Sequence, residues 1–181
     1  SRITVIVEDA GGNLVPSQLV QFTTTAGQLA AGSASTGIDG KASVDLVAPT
    51  TVGQATVTAN VGGLDQAAVI TFGAGQPAVL TTVIAPTALA ADGQSVAIVR
   101  ARVTDAFGNS IAGQTVRFST SLGAINGAAQ TDATGVAVAP LTAPAKAGIA
   151  QVTATIGGLQ STANVTFVQP GRNLYLPAIR R

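Results

Sequence analysis

Asp9 and Asp105 are the residues of this chain whose type and spacing come nearest to a metal site. Each stands four residues before an asparagine, Asn13 or Asn109, that follows a glycine at a turn. A carboxylate and an amide oxygen at this spacing suit Ca²⁺, which binds oxygen ligands. The same carboxylate is also suited to cap the turn by accepting backbone N–H bonds. No second carboxylate lies in either loop, so the pattern favours the turn cap and predicts no metal ion. The same interpretation applies to the other aspartates beside turn glycines, which are Asp39, Asp92 and Asp132.

The residue types that activate nucleophiles and bind transition metals are missing from the sequence. Its 181 residues include no His and no Cys, which removes the commonest general base, imidazole ligand and thiol nucleophile. The many Ser and Thr hydroxyls therefore have no His to activate them. Glu8 and Asp9 are adjacent, so in a strand their side chains point to opposite faces and do not pair as acid and base. We therefore expect no catalytic residue, no cofactor and no metal ion.

The composition excludes two large classes of partner. Charged residues make up 9% of the chain and apolar residues 46%, with a formal net charge of +1. No basic face for nucleic acid follows from this balance. No run of 18 apolar residues occurs, so we also expect no transmembrane helix and no membrane insertion.

Two stretches of the sequence repeat each other. Val103 follows Val7 by 96 positions, and Phe167 follows Phe72 by 95. Within each stretch apolar and polar residues alternate as in half-buried strands, and paired glycines mark two-residue hairpin turns. A repeat of this length suits an immunoglobulin-like sandwich of about 100 residues. The sequence therefore predicts an all-β chain of two tandem immunoglobulin-like β-sandwiches, at residues 1–73 and 77–168.

An ordered series of short motifs runs through the second repeat. The motifs are ADGQS at 91–95, VTD at 103–105, GN at 108–109, VRF at 116–118, TDATG at 131–135, VTA at 152–154 and VTF at 165–167. The series resembles the bacterial immunoglobulin-like domains of invasin and intimin-type adhesins, over nearly all of 77–168 and more loosely over 1–72. This resemblance implies a seven-strand sandwich on the bacterial cell surface that acts as a stalk, adhesin or fibre module and has no catalytic residues.

The two repeats differ at their beginnings. Ser1 aligns with Ala97, which lies inside the second strand of the other repeat. We therefore expect the first domain to lack its N-terminal strand, which leaves an apolar groove and an unpaired strand edge. The residues predicted to form this acceptor edge are Ile3, Val5 and Val7.

Residues 169–181 continue past the second repeat as an extended C-terminal tail. Within it Leu174–Pro177 resembles Val83–Pro86 of the first strand of the second repeat. Pro177 suits an edge strand, because proline donates no hydrogen bond. One face of an extended tail would carry Leu174, Leu176 and Ala178, and the other Tyr175, Pro177 and Ile179. The predicted donor-strand residues are Leu174, Tyr175, Leu176, Pro177 and Ile179.

These features predict a non-catalytic, extracellular structural protein of the bacterial surface, a filament subunit whose tail fills the groove of the next copy. Its expected partners are other copies of itself, together with host-surface or matrix ligands. The alternative is a rigid spacer from a larger adhesin, in which Ser1 marks a cut in a longer chain of repeats. An accessory module of a polysaccharide-degrading enzyme is disfavoured, since Tyr175 is the one spare aromatic residue for stacking on sugars.

Overall fold

The computed structural model describes residues 1–171, which divide into two compact units. The first unit is Ser1–Ala74, and the second begins at Gly75. Every regular element of the described residues is a β-strand, which confirms the predicted all-β class. The predicted donor-strand residues lie outside the described part of the chain; they are Leu174, Tyr175, Leu176, Pro177 and Ile179.

The first unit is a sandwich of a three-stranded and a four-stranded sheet. The smaller sheet has the order β1-β5-β3, and the larger has the order β4-β2-β6-β7. The strands are β1 (Arg2–Ile6), β2 (Leu19–Thr24), β3 (Gln28–Leu29), β4 (Ser33–Ser35), β5 (Lys41–Val47), β6 (Gly53–Val61) and β7 (Leu64–Phe72).

The second unit has the same plan with two additional strands at its start. One sheet has the order β12-β14-β10-β8, and the other has the order β13-β11-β15-β16-β9. The strands are β8 (Val79–Ala85), β9 (Ala88–Ala90), β10 (Val96–Thr104), β11 (Thr115–Thr120), β12 (Ala124–Ile125), β13 (Ala128–Gln130), β14 (Val136–Thr142), β15 (Gly148–Ile156) and β16 (Leu159–Val168).

Alternation of apolar and polar residues builds the core of each unit. In β10 the inward residues Val99, Ala101 and Val103 are completely buried, while Arg100 and Arg102 between them are exposed. A strand directs successive side chains to opposite faces, so this period of two places one apolar row against the facing sheet. The side chains at the centre of the first core are Val20, Phe22, Val44, Leu46 and Val57.

Paired glycines close the last hairpin of each unit. Gly62 and Gly63 have φ angles of 57° and 84°, and Gly157 and Gly158 have φ angles of 49° and 88°. Positive φ at both central residues is the geometry of a type I′ turn, whose twist matches that of the flanking strands. The predicted two-residue turns are therefore confirmed, and they fix the register of β6 with β7 and of β15 with β16.

Strands β10 to β16 correspond one for one to β1 to β7, and β8 and β9 are the two strands of the second unit left over. Among residues 1–171, no strand of the first unit takes the places of β8 and β9. Consequently β10 is paired on both sides, by β14 and β8, whereas β1 is paired within the described residues by β5 alone.

The cover that β8 provides has a measurable effect on stability. Val103→Ala empties a fully buried site and should lower the free energy of unfolding of the second unit by about 2 kcal/mol. The matched change Val7→Ala affects a half-buried valine and should cost the first unit less than half as much. Calorimetry of the monomeric chain, with the two unfolding transitions followed separately, measures both effects. Equal losses in the two variants would contradict the role given to β8.

Candidate functional site

The free edge of β1 is the most unusual feature of the first unit. The predicted acceptor residues Ile3, Val5 and Val7 follow each other on the inward side of this edge and are half-buried, while Thr4 and Ile6 are exposed. On the other edge β1 is bonded to β5, in an antiparallel register that sets Val5 opposite Ala42. The outer edge therefore combines main-chain groups that no strand of residues 1–171 pairs with an apolar row beneath them.

A groove opens between this edge and the β6–β7 hairpin. Its larger part has a volume of about 540 Å³. A smaller hollow of about 180 Å³ continues along the same strand toward Ile3. The walls of the larger part are formed by Thr4, Val5, Ile6, Val7, Glu8, Val20, Ala59, Val61, Leu64, Asp65 and Gln66. Sequence reasoning identified only the β1 wall, because the mixed polar and apolar residues at the start of β7 do not mark a single inward face.

In the second unit the corresponding space is filled by β8, and β9 covers the far end of β16. Strand β8 lies antiparallel to β10, and β9 lies parallel to the end of β16. Ile84 of β8 and Leu89 of β9 are both buried there. The opposed pairs on β8 and β10 that face inward are Leu80 with Val103, Thr82 with Ala101, and Ile84 with Val99.

Without counterparts of β8 and β9 among residues 1–171, the sheet of the first unit that contains β7 is also more exposed. Phe167 and Val165 of β16 are each 1% exposed. Their counterparts Phe72 and Ile70 on β7 are only half-buried. Removing apolar surface from water contributes roughly 25 cal/mol per Å², so this side of the first unit is a surface on which a further strand would be stabilised.

The aspartates at the turns act as caps, as predicted. Asp105 Oδ1 accepts the N–H groups of Phe107 and Asn109 at 2.9 Å, and its Oδ2 accepts the N–H of Gly75 at 3.0 Å. Asp9 Oδ1 accepts the N–H of Gly11 at 2.8 Å and that of Asn13 at 2.9 Å. Within residues 1–171, no three His, Cys, Asp or Glu side chains cluster as a metal site. The other turn aspartates also accept backbone N–H bonds; these are Asp39, Asp92 and Asp132.

The two equivalent caps differ in one donor. The Asn109 side-chain amide and the Gly75 N–H lower the pKa of Asp105 to about 2. The pKa of Asp9 is also lowered, chiefly by the Asn13 side-chain amide. Asp105 is buried beneath the segment that leads into β8, whereas Asp9 is exposed and receives no bond of the Gly75 kind from the described residues. Gly75 and Asp105 are thirty residues apart, and no sequence motif indicates the hydrogen bond between them.

These caps predict how stability depends on pH. A carboxylate whose pKa falls from its ordinary value of about 3.9 on folding stabilises the fold above that pH and loses the contribution as the pH falls toward the folded value. The second unit should therefore lose stability between about pH 4 and pH 2. Asp105→Asn should make this loss less steep without abolishing it, because the pKa values of Asp92 and Asp132 are lowered as well.

Calorimetric midpoints collected from pH 5 to pH 2 measure this dependence. Asp9→Asn is the matched control, since it should flatten the pH dependence of the first unit and leave that of the second unchanged. An Asp105→Asn variant whose second unit keeps the full dependence would show that this cap does not contribute.

Comparison with known proteins follows the division into units. The model of invasin domain 3 matches residues 76–170, and the model of the group 1 bacterial immunoglobulin-like domain matches residues 1–73. No curated protein has a sequence that matches the chain. Residues 1–171 form no helix that is both long and apolar enough to span a membrane.

Three solved structures share the fold over nearly the whole chain. Invasin, described as a bacterial integrin-binding protein, is 28% identical, with a TM-score of 0.52, over 93% of this chain and 36% of its own. InvD of Yersinia pseudotuberculosis is 22% identical, with a TM-score of 0.68, over 98% of this chain and 55% of its own. The Escherichia coli adhesin FdeC is 19% identical, with a TM-score of 0.56, over 94% of this chain and 59% of its own.

The chain thus spans less than two thirds of each of these three solved chains, and the two similarities below 25% identity concern the fold alone. The match to the invasin domain 3 model covers more than half of the residues. The resemblance seen in the sequence motifs is thereby confirmed, and this chain belongs to the invasin-type family of bacterial immunoglobulin-like domains.

Proposed function

We propose that this chain is a non-catalytic structural module of the bacterial cell surface that assembles head to tail. In this proposal the C-terminal tail of one copy pairs with β1 of the next and fills the groove of its first unit. The observation that carries the proposal is the open groove beside β1, at the place that β8 occupies in the second unit. A strand added to a free edge gains main-chain hydrogen bonds for affinity and side-chain pockets for specificity.

The tail has the composition that such a groove requires. Leu174, Leu176 and Ala178 alternate with residues of the opposite face, so an extended tail presents one apolar row. Burying two leucine side chains contributes on the order of 3 to 6 kcal/mol before the entropy of ordering the tail is subtracted. Because donor and acceptor lie on different parts of the chain, the contact is heterologous and propagates into an open filament.

The absence of catalysis is proposed from the sequence and the family together. Without His or Cys, the chain lacks the side chains that most often act as general base or thiol nucleophile. The domains it resembles belong to adhesins and invasins, so the coarser role of a surface module of adhesive type is supported by the family match itself.

A spacer in a larger adhesin is the second candidate function. It is favoured by the fact that the chain spans 36% of invasin, which leaves most of that protein's length unmatched. In this case a strand from a preceding repeat covers β1, and a host-surface ligand binds elsewhere in the longer protein. Invasin is described as integrin-binding, which makes a host receptor the partner to test first.

Electron microscopy and light scattering of the full chain and of a chain ending at Val168 separate the two functions. Strand donation predicts filaments from the full chain and monomers from the shortened one. A matched control keeps the tail but replaces Leu174 and Leu176 with Asp, which should also prevent assembly because it places charges in the apolar groove. Monomers in all three samples would favour the spacer.

A further inference from the structure

The second unit shows how a strand is held beside β10, the counterpart of β1. The segment entering β8 begins with Gly75, whose N–H donates to Asp105 Oδ2 at 3.0 Å. Five residues later, Leu80 lies opposite Val103 on the inward side of the sheet. Asp105 therefore fixes the main chain just before the strand, and the inward residues then follow at every second position.

Asp9 occupies the position of Asp105 in the first unit. Among residues 1–171 its Oδ2 accepts one hydrogen bond, from the Asn13 side chain at 3.0 Å, and the exposed carboxylate directly follows Glu8 of the groove wall. Charge-assisted hydrogen bonds from backbone N–H groups to carboxylates are among the stronger hydrogen bonds in proteins. An incoming strand therefore meets, beside β1, a carboxylate that is held by its own turn and has capacity for a further donor.

The charges of the first unit and of the C-terminal tail are opposite in sign, which indicates the tail as the incoming strand. The first unit contains two basic and five acidic side chains, a formal charge of −3, and the groove wall includes Glu8 and Asp65. The tail contains three basic side chains and no acidic one, a formal charge of +3. The basic side chains of the tail are Arg172, Arg180 and Arg181. Opposite charges on donor and acceptor steer their encounter and disfavour partners of the wrong sign.

We propose that residues 169–181 of a second copy bind antiparallel to β1 in the register of β8 on β10, with Asp9 accepting the main-chain N–H of Gln169. The inward pairs are then Leu174 with Val7, Leu176 with Val5, and Ala178 with Ile3. This assignment rests on the proposed function, and it names the residue that recognises the donated strand and the register in which the strand binds.

The neighbouring registers are excluded by the side chains they would bury. A shift of two residues that sets Leu176 opposite Val7 turns Arg180 inward opposite Ile3, where the second unit has the buried Ile84. An unpaired charge at such a position is strongly unfavourable. Aligning Leu174–Pro177 with Val83–Pro86, as the sequence similarity suggested, would leave Gly171 to fill the place of Leu80.

The proposed register also agrees with the one buried polar position of β8 and with an exposed one. Leu176 takes the place of Thr82, whose Oγ1 is buried without a hydrogen-bond partner, so the leucine introduces no buried polar atom. Pro177 takes the place of Val83, whose side chain is 63% exposed. The main chain at this position faces the partner strand, so the proline leaves one rung of the ladder, at Thr4, without an N–H donor. Gln169 supplies the N–H that Asp9 accepts, whereas Pro170 beside it has none to donate.

Engineered cysteine pairs test the register, because the sequence contains no cysteine of its own. A disulfide requires Cβ atoms about 3.8 Å apart, a condition that directly opposed residues approach and that diagonal neighbours at about 7 to 8 Å do not meet. A chain carrying Val7→Cys and Leu174→Cys should form a ladder of disulfide-linked oligomers on a non-reducing gel. The matched control, Val5→Cys with Leu174→Cys, should cross-link at least about tenfold more slowly.

Asp9 is tested by its effect on assembly. Asp9→Asn should raise the concentration needed for assembly by about tenfold, which corresponds to the loss of one charge-assisted bond. Asp39→Asn removes the same charge from an exposed turn outside the groove and should have a much smaller effect. Calorimetry establishes that both variants keep two unfolding transitions.

Each outcome bears on a different statement. Filaments whose fastest cross-link is at the shifted pair, or that form equally well with Asp9→Asn, would overturn the register while leaving strand donation intact. A disulfide-linked monomer would mean that the tail occupies the groove of its own chain and would overturn binding between copies. Failure of the unmodified chain to assemble would remove the proposed function itself.

Discussion

The pairing of a strand with the outer edge of β10, or of β1 in the first unit, determines how well each sandwich is closed. In the second unit β8 supplies that strand, and its inward side chains cover both the edge strand and the facing sheet. The main-chain hydrogen bonds and the buried apolar surface are therefore gained together. In the first unit neither is present within residues 1–171, so the half-burial of Phe72, the groove and the exposure of Asp9 all have one physical cause.

Much of this fold is predictable from the sequence because its determinants are local. The alternation in β10 and the glycine pairs of the hairpins each specify a geometry within a few residues. The repeat at 95 or 96 positions then assigns the same fold to both halves, and the alignment of Ser1 with Ala97 indicates which strand has no counterpart.

The features that escaped prediction depend on contacts between distant residues. Ala88–Ala90 is too short for its alternation to be read, so the parallel pairing of β9 with β16 could not be foreseen. The bond between Gly75 and Asp105 spans thirty residues. Thr131 is buried because its hydroxyl donates to the Ile111 carbonyl and accepts from the Gln114 N–H, and nothing in its sequence neighbourhood distinguishes it from an exposed threonine.

The direction of the β9–β16 pairing has a mechanical consequence. Since β9 is parallel to β16, a tension that pulls the start and the end of the second unit apart loads their hydrogen bonds in shear, so that several must break together. In the first unit the terminal strands β1 and β7 belong to different sheets and share no such ladder. Within the described residues this unit depends under tension on the separate pairings of β1 with β5 and of β7 with β6 and on side-chain packing, so we expect it to yield before the second unit when the chain carries load.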